Sequence, residues 1–146
     1  MIPEEKFNAD FGPIVSFYAF HIKKKSIPIS LNDIGMFGVN IEAKKNIKDI
    51  EQIDMNAVVP NVIFFSSSKK KYNVKNLMWN IRCLAHHPEN IEIVNINGVK
   101  CYKLWCSRKN KIRNTIAPTM KGLIACDAWP IFIKCLTDKI TENEIN

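Results

Sequence analysis

Eleven of the 21 Lys and Arg residues in this 146-residue chain lie between Lys69 and Arg113, where the only acids are Glu89 and Glu92. That stretch carries +9, and since the whole chain carries +7, everything outside it amounts to −2. Cations gathered on one segment of a nearly neutral chain are suited to meeting a polyanion, and nucleic acid is the commonest one. Lys69, Lys70, Lys71, Lys75, Lys109 and Lys111 are expected to neutralise phosphates, with Lys100, Lys103, Arg108 and Arg113 extending the same surface. Trp79 and Arg82 are expected nearer the bases. A Trp is awkward in a major groove and better placed stacking on an unpaired base beside a guanidinium, which favours single-stranded DNA or RNA slightly over duplex. Only Arg82, Arg108 and Arg113 are Arg, and Ile and Asn are abundant, as an AT-rich genome of the viral or parasitic kind would produce. Codon bias accounts for the number of lysines but not for their clustering.

Cys83, His86, His87, Cys101 and Cys106 form a second constellation with ligand chemistry. Cys83 lies one helical turn from His86 and His87, and four such groups make a tetrahedral zinc site when they converge. The spacing matches neither a C-x-x-C pair nor a finger, and on one strand Cys101 and Cys106 point to opposite sides, so ordinary thiols and no metal are expected. Five cysteines are an odd number with no paired-framework spacing, which suits reduced thiols. No P-loop, G-x-G-x-x-G, G-x-S-x-G or H-E-x-x-H motif occurs, and the chain is read as a binding protein, not an enzyme, with no cofactor.

The elements that must position these residues follow from hydrophobic spacing. Val74, Leu77, Met78, Ile81, Leu84 and Ala85 predict an amphipathic helix from Val74 to His87, capped by Asn73 and ended by Pro88. Its opposite face presents Lys75, Trp79, Arg82 and His86. Asn97-Gly98 predicts a type I′ hairpin between Ile91–Ile96 and Val99–Trp105, setting Ile91 against Leu104, Ile93 against Tyr102 and Glu92 against Lys103. Upstream, Pro13 is expected to open a helix running to about Lys24, Ser30 to cap a short one ending near Gly35 or Gly38, and Asn46 to cap another reaching towards Asp54. Val58 to Phe65 reads as a buried strand and Ser66 to Lys71 as a loop. Thr119 to Ile140 is expected to form two short helices meeting at Asp127 to Pro130.

The order of helix, extended Ile27-Pro28-Ile29, capped short helix, long amphipathic helix and hairpin resembles a winged-helix domain over about residues 13–105. The resemblance is topological, and the interval from Val39 to Ser68 is longer than the family's usual link. It implies that the Val74 to His87 helix is the reader and that Asn97-Gly98 tips the wing. The fold class expected is therefore α+β: an N-terminal arm at 1–12, one compact domain at 13–140 with a helical C-terminal segment, and a polar tail at 141–146.

No apolar run approaches the roughly 18 residues of a membrane span, and the first ten residues lack the pattern of a secretory signal, so an intracellular protein, nuclear or cytoplasmic, is expected. Nucleic-acid binding is the function these features favour. The competing class is a small protein-interaction adaptor, such as a virus would encode, whose basic face docks an acidic partner and whose Trp79, Trp105 and Trp129 supply hot spots.

Overall fold

The computed structural model describes residues 2–23, 27, 29–30, 38–67 and 73–143. In chain order these form α1 (Glu4–His21), β1 (Asn40–Lys44), α2 (Ile47–Glu51), β2 (Val62–Ser66), α3 (Val74–His86), β3 (Ile91–Ile96), β4 (Val99–Asn110), β5 (Thr115–Ala125) and α4 (Ala128–Glu142), with single 3-10 turns at Met55–Ala57 and Pro88–Asn90. The five strands make one mixed sheet in the order β1-β2-β5-β4-β3, parallel only between β1 and β2.

Pairing rows explain the two faces of this sheet. Ile63, Leu104 and Ile91, then Phe65, Met120 and Cys106, then Ile124 and Tyr102 point to one side. There they meet Phe11, Ile14 and Tyr18 of α1, Leu77, Met78 and Ile81 of α3, and Trp129, Phe132 and Leu136 of α4 in one buried core. Val62 and Phe64 point to the other side and pack on Ile50 of α2, with Ile53, Met55 and Val58 around them. Lys121 shares that second face and donates to the carbonyls of Glu51 (3.3 Å) and Ile53 (3.1 Å), satisfying the end of α2. The chain is thus a single α+β domain with four α-helices among the described residues.

Helix α3 buries Val74, Leu77, Met78, Ile81, Leu84 and Ala85, the face expected, and Asn80 as well. The hairpin has the expected register, with Asn97 at φ 51° and Gly98 at φ 87° in its turn. It does not stand clear as a wing. Strand β4 runs on to Asn110 and pairs along its other edge with β5, so the hairpin is the outer part of the five-stranded sheet.

Several expectations are corrected. Helix α1 begins at Glu4 and contains Pro13, so residues 4–12 are not an arm. An interior Pro removes one hydrogen bond, but the aromatic face holds the helix together: Phe11 stacks on Trp129 at 4.8 Å and meets Tyr102 edge-on at 5.3 Å. Asp10 anchors it further, its carboxylate accepting from the Tyr102 hydroxyl and its carbonyl from Trp129 Nε1 at 2.9 Å. Second, the first of the two expected C-terminal helices is the strand β5. Third, Pro130 does not interrupt a helix; it is the third residue of α4, in the first turn, where its missing N–H costs no helical bond. Thr141 and Glu142, expected in the tail, close α4. Asn46 precedes α2 and Asn73 precedes α3, but neither side chain makes a capping bond. Most of the short helix expected from Ser30 lies outside the described residues.

Candidate functional site

Strand direction decides which residues converge. Strand β1 is parallel to β2, while β5 is antiparallel to both β2 and β4, so β1, β2 and β4 all run the same way. Their C-terminal ends therefore share one end of the sheet. There Lys45, Asn46, Ile47 and Lys48, Ser66 and Ser67, Asn76 of α3 and Arg108 of β4 line an open cleft of about 710 Å³. A smaller hollow of about 290 Å³ shares Ile47, Ser66, Asn76 and Arg108 and reaches Trp79, Asn80, Cys83, Ser107 and Thr119. None of these described lining residues is acidic.

Hydrogen bonds knit the walls together. The Ser67 N–H donates to the Lys44 carbonyl at 2.8 Å, its hydroxyl donates to Asn73 Oδ1 at 2.9 Å, and Asn76 Nδ2 donates to that hydroxyl at 2.9 Å. These bonds join β1, β2 and the start of α3. Deeper in, the buried Asn80 donates to the Asn76 carbonyl at 3.0 Å and accepts from the Thr119 hydroxyl at 2.8 Å, which ties α3 to β5. The floor is thus held rigid while the three cations stand at the rim.

Trp79 is 50% exposed, and the Arg82 guanidinium lies 5.1 Å from its ring and 5.4 Å from that of Tyr18. Cation–π contacts of this kind fix the guanidinium against the rings, so Arg82 is part of an aromatic platform. Burial pushes the Cys83 thiol above its usual range, with Arg82 opposing the shift, so the thiol stays protonated and is not an activated nucleophile. Cys106 is pushed up to about 12, chiefly by burial and secondarily by Cys83, and its Sγ donates to the Asn80 carbonyl at 3.1 Å.

The expected site residues separate into groups. Trp79 and Arg108 line one hollow, with Arg82 against the Trp79 ring. Lys75 lies near the start of α3, on the same helix. Lys109, Lys111 and Arg113 are exposed beyond the sheet, on the far part of the β4–β5 hairpin. Lys100 is the second residue of β4 and sits at the opposite end of the sheet, about 26 Å from Arg108 along the strand. Lys103 stands on the α2 face, in a row with Glu92, Leu123 and Val62, and lines a different hollow with Lys121 and Trp105. Neither therefore joins the cleft. Lys69, Lys70 and Lys71 lie outside the described residues. Sequence reasoning missed Lys45 and Lys48, which fall outside the basic segment and arrive through the parallel pairing of β1 with β2. Among the described residues no three His, Cys, Asp or Glu side chains gather as metal ligands, and Cys83, His86, His87, Cys101 and Cys106 form no such group. No described helix is long and apolar enough to cross a membrane.

Fold and site together define an α+β domain with a cationic cleft, free of described carboxylates, at the C-terminal ends of its co-directional strands. No protein-family model, curated protein or solved structure matches the chain.

Proposed function

We propose that the protein binds nucleic acid in this cleft, holding backbone phosphate between Lys45, Lys48 and Arg108 and stacking a base on the Trp79–Arg82 platform. The observation that supports the reading is the convergence of cations from two distant chain segments, Lys45 with Lys48 and Arg108, on one hydroxyl- and amide-lined cleft, with a half-exposed Trp continuing it. Lys and Arg neutralise phosphate, Ser and Asn side chains donate to its oxygens, and an exposed indole stacks on any base. Single-stranded DNA or RNA suits this cleft, because a paired base offers no free face to Trp79. The role is binding, with no chemical step.

Anisotropy of a labelled single strand tests it. The expected result is binding that weakens steeply with salt, together with a fall in Trp fluorescence whose larger share disappears in Trp79→Phe. Trp129 is fully buried and should contribute little to that fall. Failure of both DNA and RNA strands to bind would overturn the reading. Recovery of an acidic protein in place of nucleic acid under native conditions would favour the adaptor class.

A further inference from the structure

We infer that the far part of the β4–β5 hairpin is an arm that enters the major groove of duplex DNA. The inference rests on the nucleic-acid reading and adds to it a second element, outside the cleft, that takes duplex DNA while the cleft takes a single strand.

Residues 107–110 pair with 115–118 and with no other strand. Strand β2 stops pairing with β5 at Phe65 and Met120, and β3 stops pairing with β4 at Ile91 and Leu104. Past the irregularity at Cys106 and Ser107, a two-stranded ribbon therefore projects from the sheet. Directly paired residues share a face, so Lys109 stands beside Ile116 on one side and Arg108 beside Ala117 on the other. The turn presents Lys111, Ile112 and Arg113, closed by Asn114 at φ 51°, a left-handed conformation that Asn tolerates. Ile112 is 96% exposed and Ile116 71% exposed. No acid occurs from Ser107 to Cys126.

Solubility accounts for the cations on this ribbon but not for two large apolar side chains standing in water on so short a projection. A nucleic-acid groove uses both. Past Arg108, which walls the cleft, Lys109 and Asn110 at about 3.3 Å each give about 7 Å of strand, and the four-residue turn extends beyond them. The B-form major groove is about 12 Å wide and about 8.5 Å deep and admits a two-stranded ribbon. At that depth Ile112 reaches the groove floor, where thymine methyls are the apolar feature, while the cations along the ribbon face the phosphates on either wall. The major groove of A-form RNA is too narrow for side chains to read, so the ribbon tells duplex DNA from duplex RNA.

Two variants of the full chain test this: the triple Lys109→Gln, Lys111→Gln, Arg113→Gln, and the single Ile112→Ser. Circular dichroism checks that both fold. Each is titrated by anisotropy with a DNA duplex, an RNA duplex of the same sequence and a DNA single strand, over a range of salt. The triple is expected to lose about tenfold or more on the DNA duplex and to flatten its log-affinity against log-salt slope by about two to three. Ile112→Ser is expected to lose severalfold on the DNA duplex with its slope unchanged. Both should keep most of their single-strand affinity. Equal losses on the RNA duplex would reduce the ribbon to a phosphate tether and overturn the inference, as would undiminished DNA-duplex binding by both variants. A wild-type protein that binds single strands but not duplex DNA overturns the arm and leaves the cleft standing. One that binds no oligonucleotide overturns both.

Discussion

Strand β4 is one continuous strand in two environments. Its first eight residues, Val99 to Cys106, pair with β3 as far as Leu104 and with β5 from Cys101 on, and they bury Cys101, Tyr102, Leu104 and Cys106. Its last four pair with β5 alone, and Ser107, Arg108 and Lys109 are exposed. The residue types change where the neighbours end. Inside the sheet, Tyr102, Leu104 and Cys106 face a core of three helices. Beyond it Arg108 walls the cleft, and Lys109 is exposed on the other face. The basic segment is therefore not one surface: part of it builds the sheet, and the part past Cys106 is exposed.

The two halves of β4 differ most in what they contribute to stability. Leu104→Ala, which empties a fully packed position against Ile63 and Ile91, should cost about 2–5 kcal/mol in denaturant unfolding, whereas Ile116→Ala on the ribbon should change it by less than about 0.5 kcal/mol. A large loss at Ile116 would mean that the ribbon is packed and not projecting. The buried half also carries groups that ionise late. The Cys106 thiol, raised by burial from 9.0 to about 12, gives up its proton first in the unfolded chain. Its contribution is therefore complete below about pH 9 and is lost as pH rises towards 12, at about tenfold in the folding constant per pH unit. Burial raises Cys101, Tyr102 and Cys126 in the same direction. Cys106→Ala should make the alkaline fall in stability shallower by about one proton, and a parallel pH profile would show that this thiol is not shielded.

Trp79 sharpens the comparison on the cleft side. It lies off the core face of α3, so Trp79→Ala should fold and melt nearly as the wild type does, while single-strand binding weakens by about 1–3 kcal/mol. Tyr18 and Arg82 would keep their own contact, since the guanidinium also lies over the Tyr18 ring. Destabilisation by several kcal/mol would make Trp79 a packing residue and remove the platform from the site.

What was legible in the sequence was local. The α3 core face follows from a 3.6-residue period within 13 residues, and the β3–β4 register from one Asn-Gly pair. Strand β5 was not legible. Gly122, Leu123 and Ile124 are buried in succession because helices cover one sheet face and α2 the other, so alternation disappears, and Met120, Leu123 and Ile124 then imitate helical spacing. The start of α1 was hidden because Pro13 looks like an entry, and only Trp129 and Tyr102, over 90 residues away, show why the helix tolerates it. Of the site, Trp79, Arg82 and Arg108 could be named from type and spacing. Lys45 and Lys48 could not, since nothing short of strand direction places them beside Arg108, and the same directions send Lys100 away.

The smallest expected effect is the most discriminating, because it uses two cations of one strand. Lys103 stands opposite Glu92 in register and shares the α2 face with Lys121, so it is turned away from the cleft. Arg108, five residues on, lines the cleft and begins the ribbon. In salt titrations of oligonucleotide binding, Arg108→Gln should lower the slope of log affinity against log salt by about one, the counterion released by one phosphate contact, and Lys103→Gln should leave it where it is. Both substitutions remove one charge from a protein of net +7, so a general electrostatic attraction would respond to them alike. Equal slopes for the two variants would mean that the protein presents diffuse charge to its partner. Only a difference between them places a phosphate at the junction of cleft and ribbon.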